Sequence, residues 1–136
     1  MTISAQKVLK PVKVLTPGIE IRIDKDPEAN KARIAEFDKL IREKMPVAEK
    51  ALKEGLQAFA DKDFAKAEDA LDSAVMLYFD LMNAYYAKAC ALDNIHGDSF
   101  EAMNMNVVVH KKFIDAWSKK MDARKELQKS AKQGDG

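Results

Sequence analysis

Apolar positions change their period once along this chain, near residue 25. Before that point Ile19, Ile21 and Ile23 alternate with Glu20, Arg22 and Asp24, which puts three branched side chains on one face of an extended segment. Residues 12–15 form a second β-favouring run, and Pro11, Pro17 and Gly18 punctuate the two. Residues 1–25 therefore read as an extended N-terminal arm. A lone strand cannot support itself. Its apolar face must lie on the chain's own helices, on a short hairpin partner, or on another protein by strand addition or groove packing.

From residue 26 onward the period is helical. Asp26 is placed to cap and Pro27 to occupy the first helical position, where its φ is already set. Ile34, Phe37 and Ile41 follow at spacings of three and four, with Leu40 widening the stripe, and predict a helix over residues 27–44. Pro46 removes an amide donor and disfavours α geometry at Met45, so the chain should break or kink sharply there. Ala48, Leu52, Leu56 and Phe59 carry a second helix.

Asp61-Lys62-Asp63 supplies the next break, with Asp63 the cap of a third helix through Phe64, Ala67, Leu71, Ala74, Val75 and Met76, ending near Phe79. A fourth helix is expected over residues 81–95, stopped by the polar residues 93–98, with Gly97 suited to a C-terminal turn. Asp98 and Glu101 have the spacing of a capping box that opens a long last helix over residues 99–129. In it Phe100, Met103, Val107, His110, Ile114, Trp117 and Met121 keep strict three-four spacing, as though one seam faced one groove. Residues 26–132 thus form a single helical domain, and residues 133–136, with nothing to pack, a frayed tail.

A weak internal repeat runs through the middle. Gly55, Lys62-Asp63-Phe64, Ala67, Leu71, Ala74 and Leu77 form one copy, and residues 84–92 begin another 34 residues later, with 97–102 as its turn and second-helix start. This pattern of small and large residues resembles the tetratricopeptide repeat (TPR). Gly55, Ala67, Ala74 and Ala89 would be points of close helix approach, with Phe64, Leu71, Tyr85 and Leu92 filling between pairs. The expected fold is all-α: antiparallel helical hairpins of about two and a half TPR-like repeats, or a plain bundle of four or five helices. The resemblance implies an inner surface on one side of each first helix, carrying Leu52, Leu56 and Phe59, then Asn83, Tyr86, Cys90 and Asn94. Leucines stand where relatives that capture acidic C-termini carry cations, so an apolar extended or helical peptide is the expected occupant.

Composition narrows the classes of function. With 136 residues there is material for one core, and with 23 basic residues against 22 acidic there is no overall field to draw nucleic acid or anionic lipid. The basic excess is local: between Lys111 and Lys132 only Asp115, Asp122 and Glu126 are acidic, a bias towards an acidic partner or a favourable charge near a helix C-terminus. No run approaches the roughly 18 apolar residues of a membrane span. The N-terminus lacks the apolar stretch of a secretory signal, and Pro11 and Pro17 oppose an amphipathic transit helix. Cys90 alone cannot form an internal disulfide, so a reducing, cytoplasmic setting is the expectation.

Catalytic and metal chemistry find little to stand on. Cys90, His96 and His110 are the whole set of cysteine and histidine, without the paired spacing of a zinc site. The residues three before the histidines, Asp93 and Val107, do not make the Glu-x-x-His pairs of a di-iron bundle. No nucleophile, base and oxyanion donor stand at informative spacing. No catalytic residue, metal or cofactor is therefore assigned. The expected function is that of a non-enzymatic interaction module, an adaptor or accessory subunit, which binds a protein through the helical surface and the Ile19, Ile21 and Ile23 face. Self-association through the seam around Ile114, Trp117 and Met121 is a second route. The alternative is a helical bundle that holds a small molecule or cofactor among Tyr85, Tyr86, Trp117 and the methionines.

Overall fold

A computed structural model of the chain describes residues 26–134, with side chains to residue 131, and shows three long helices in succession. These are α1 (Pro27–Ala60), α2 (Phe64–Asn94) and α3 (Phe100–Gly134). The arm, including Ile19, Ile21 and Ile23, lies outside the described residues. Among the described residues there is no strand. The protein is all-α and built of antiparallel hairpins, as the periodicity predicts, but with three rods instead of four or five.

Two expected interruptions are absent. α1 runs through Pro46, which is exposed, as is Arg42, so the carbonyl that loses its helical partner lies on a solvated face. α2 runs through residues 79–81, where the chain has neither Gly nor Pro to stop it. Leu81 is fully buried and the Asp80 carboxylate accepts from Lys44 Nζ at 2.7 Å, so packing on α1 reinforces continuity. α3 passes the expected end at residue 129 and continues through Gln133 and Gly134.

Each of the three aspartates expected at a helix start accepts from an amide of the first turn. Asp26 Oδ1 accepts from the Glu28 amide at 3.1 Å and Asp63 Oδ1 from the Lys66 amide at 3.3 Å. Asp98 Oδ1 accepts from the Phe100 amide at 2.9 Å, while Ser99 Oγ donates back to Asp93 Oδ1 at 2.6 Å, which ties the second turn shut.

Both turns close in the same way. After α1, Asp63 N donates to Ala58 O and Lys62 N to Phe59 O; after α2, Gly97 N donates to Leu92 O and His96 N to Asp93 O. This is the paired bonding of a Schellman turn, which needs one left-handed residue. Lys62 (φ 63°) and His96 (φ 58°) supply it, so the left-handed position falls one residue before Gly97.

Central α2 packs on α1 along one side and α3 along the other, while α1 and α3 hardly touch. Gly55, Ala67, Ala74 and Ala89 are all buried, as expected of close-approach points. A Cβ built on Gly55 would lie 2.6 Å from Leu71 Cγ. The main cluster gathers Ala48 of α1, Ala74, Val75, Tyr78, Leu81 and Tyr85 of α2, and Val109 and Ala116 of α3.

The α2–α3 seam is partly ionic. Lys120 Nζ donates to Asp72 Oδ1 and Arg124 Nη1 to Glu68 Oε1, each at 2.7 Å, and the Lys120 side chain is 3% exposed. Phe79 and Phe113 rings, 5.7 Å apart, continue the same antiparallel register. The face of α3 turned to α2 is therefore Ala102, Val109, Ala116, Lys120 and Ala123. Of the seam expected from the large apolar residues, Phe100, Met103, Val107, His110 and Ile114 instead turn outward, while Trp117 and Met121 are half-buried, because small side chains let these backbones approach and the large ones have no room between them.

Candidate peptide-binding groove

Because α1 and α3 splay apart over α2, a groove lies between them. One end, about 460 Å³, is lined by Ile41, Met45 and Pro46 of α1, Tyr78 and Tyr85 of α2, and Met105, Val108 and Val109 of α3. The adjoining 410 Å³ end is lined by Leu52, Leu56 and Gln57, and the two share Glu49, Tyr78 and Lys112. From Ile41 to Gln57 the rise along α1 is about 24 Å. Beyond it Lys119 Nζ of α3 lies 4.6 Å over the Phe59 ring, itself edge-on to Phe64 at 5.3 Å.

The floor is aromatic and the rim charged. Tyr78 is 1% exposed and Tyr85 8%, yet both line the groove. Burial raises the Tyr78 phenol above its ordinary pKa, and the Glu49 carboxylate adds to this; burial, then Glu101 and Asp38, raises Tyr85. The rim carries Arg42, Lys53 and Lys112 against a single acid, Glu49. Among the described residues none of the three cations is ion-paired. Leu56 (41% exposed) and Val108 (48%) leave apolar surface at the edge.

The residues expected to bind a partner divide into separate regions. Leu52 and Leu56 line the groove, and Phe59 stands beyond its end under Lys119. Asn83, Tyr86, Cys90 and Asn94 form one stripe on α2, but roughly 80–160° around it from Tyr78, and they do not line the groove. The repeat pattern sets them on a first helix of their own, next to the one that carries Leu52; in the structure they belong to the continuous α2, which runs antiparallel to α1. Tyr86 is exposed and Cys90 is a partly buried free thiol. Asn83 Nδ2 is buried without a hydrogen-bond acceptor among the described residues.

Trp117 packs at the edge of the main cluster, its ring 6.0 Å from Phe113 and beneath Lys120 Nζ at 5.4 Å. Of the side chains named for a small-molecule cavity, Tyr85 and Met105 meet in the groove, whereas Tyr86 and Trp117 do not line it. Tyr78, Lys112 and Val108 escaped the sequence reading. The seven-residue interval from Tyr78 to Tyr85 is the one available signal for Tyr78.

Among the described residues no group of His, Cys, Asp and Glu is placed to hold a metal, and no helix is long and apolar enough to cross a membrane. Comparison of the chain with protein-family models, curated proteins and solved structures finds no match.

Proposed function

We propose that the protein is a non-enzymatic interaction module whose α1–α3 groove holds an amphipathic helical segment of a partner protein, apolar on one face and acidic along its edges. The observation that carries this reading is an apolar floor, Met45, Tyr78, Tyr85 and Met105, bordered by Arg42, Lys53 and Lys112. A third helix laid between two splayed ones buries its apolar stripe as in other helix-in-groove recognition. Acids on its flanks would meet the three cations, which favours encounter and orientation more than affinity itself. Methionines beside aromatic rings suit a floor that must adapt to the ridge pressed on it.

The test uses a displayed library of random peptides of about 16 residues, the number that spans about 24 Å of helix, panned on the immobilised full chain. Enriched sequences are expected to carry apolar residues at three-four spacing with net negative charge. Leu56→Lys together with Val108→Lys, both at exposed positions, should weaken binding of an enriched peptide at least about tenfold, the effect of losing about 1.4 kcal/mol. Enrichment of basic peptides, or binding unchanged in the double variant, would refute the reading.

A further inference from the structure

α1 and α3 hardly touch, yet both line one groove over α2. That is the relation of diagonal helices in an up-down-up-down bundle of four, where each helix packs antiparallel on two neighbours and leaves the third across the core. α1 and α3 run the same way and α2 runs against both, so the groove is the fourth corner of such a bundle. Pro11, Pro17 and Gly18 oppose a helix of the required length within residues 1–25, and a partner is the source of the fourth helix.

Charge is uneven along this corner. Gly55 meets Leu71 and Asp72 holds Lys120, which sets Lys53 of α1 and Lys119 of α3 at about the same height, at the end nearest the α1 C-terminus. Lys112 stands between that pair and Arg42, and Glu49 is the one acid in the groove's lining. Acids collect at the opposite end. Burial first, then Glu101 of α3 and Asp38 of α1, raise the Tyr85 phenol pKa, so both carboxylates stand near that ring. Among the described residues Asp38 is held by Lys88 at 2.7 Å, whereas Glu101, exposed, is paired with no cation.

We infer that the partner helix lies antiparallel to α1 and α3, with an acidic N-terminal half against Lys112, Lys53 and Lys119 and a basic last turn against Glu101. This rests on the groove reading and adds to it a direction and a charge polarity. Two effects select the same direction. A helix has partial positive charge at its N-terminus and partial negative charge at its C-terminus, so it tolerates acids best in its first turn and cations best in its last. A helix of the opposite direction would have to carry both kinds of charge at its unfavourable ends to match the same walls. Antiparallel entry also gives the newcomer the orientation that α2 already has towards both neighbours, as in an up-and-down bundle.

Peptides enriched from the random library are the probe, and they should hold Asp and Glu in their first half and Lys or Arg in their last turn. One enriched peptide is made with a cysteine at either its N-terminus or its C-terminus. Each form is then oxidised with Cys90→Ala chains that carry Gln57→Cys or Val108→Cys, at opposite ends of the groove and about 22 Å apart in height. The N-terminal cysteine should trap on Gln57→Cys and the C-terminal one on Val108→Cys. Lys53→Glu with Lys112→Glu, both at exposed positions, should weaken binding at least about tenfold while helical circular dichroism is unchanged. Glu101→Lys should weaken the peptide with the basic last turn and spare one in which that turn is changed to Gln. Trapping in the reverse pairs, or equally at both ends, would overturn the direction and leave the groove reading standing. Binding indifferent to Lys53→Glu with Lys112→Glu would overturn the charge polarity. Enrichment of proline-bearing, non-helical peptides would refute the groove reading and this inference with it.

Discussion

At the scale of single residues, Gly55 sets two familiar effects against each other. Glycine in a helix interior costs about 1 kcal/mol relative to alanine, so Gly55→Ala gains stability on propensity alone. The added methyl, however, would stand 2.6 Å from Leu71 Cγ and 3.2 Å from the Leu71 amide nitrogen, and Leu71 is fully buried with no open side to move to. Forcing a methylene into a packed core costs about 1–3 kcal/mol, and here α1 and α2 would have to part. The clash should win: Gly55→Ala is expected to lower stability by about 1 kcal/mol or more in urea denaturation, and a stabilised variant would show that the helices approach less closely than described. The position of Gly55 was legible from sequence because small residues at helical spacing have few uses besides close approach. Asn83 was not, since its buried, unpartnered Nδ2 depends on what a neighbouring helix fails to offer.

At the scale of elements, the α2–α3 seam owes its register to charge. Lys120 is 2% exposed and held by Asp72, and one turn further along Arg124 is held by Glu68, so sliding one helix along the other would leave two buried cations unmatched. Breaking such a pair from one side costs about 3–5 kcal/mol, whereas replacing both partners by apolar groups is often neutral. Asp72→Ala should therefore be severely destabilising, and Asp72→Leu with Lys120→Leu should recover most of the loss in the same denaturation assay. If the double replacement is as unstable as the single, the pair does more than neutralise itself.

This seam also explains what the sequence concealed. Asp26 and Asp63 announce their helices through local chemistry, and both cap as expected. The buried face of α3 consists of alanines, one valine and a lysine, so counting large apolar residues selects the stripe of Phe100, Val107 and Ile114, which lies outside. Continuity at Asp80 was legible in the absence of any Gly or Pro between Phe64 and Asn94, although a helix end is expected near Phe79. Leu52 and Leu56 were found because their stripe lies wholly on α1. Tyr78 was missed because a groove floor is defined by the distance between α1 and α3, which no local pattern records.

At the scale of the whole molecule, three helices whose outer two hardly touch leave apolar surface uncovered. α2 is covered on both flanks, while the outer helices leave a groove on one face and an apolar stripe on the other. The groove's two phenols give this arrangement a pH signature. Burial disfavours the phenolates of Tyr78 and Tyr85, and nearby carboxylates disfavour them further, so the folded protein holds both protons above the ordinary value of about 10. The unfolded chain releases them from about pH 10 upward. In that window the unfolded state binds fewer protons than the native one, and stability falls as pH rises. The tyrosines' contribution is complete below about pH 10 and is lost as pH climbs through their raised native values. Tyr78→Phe with Tyr85→Phe removes this contribution and leaves the lysines to titrate as before. Urea midpoints measured from about pH 9 to about pH 11 should fall less steeply in the double variant than in the parent. Parallel slopes would mean that the phenols titrate alike in both states and that the groove floor is wetter than its geometry implies.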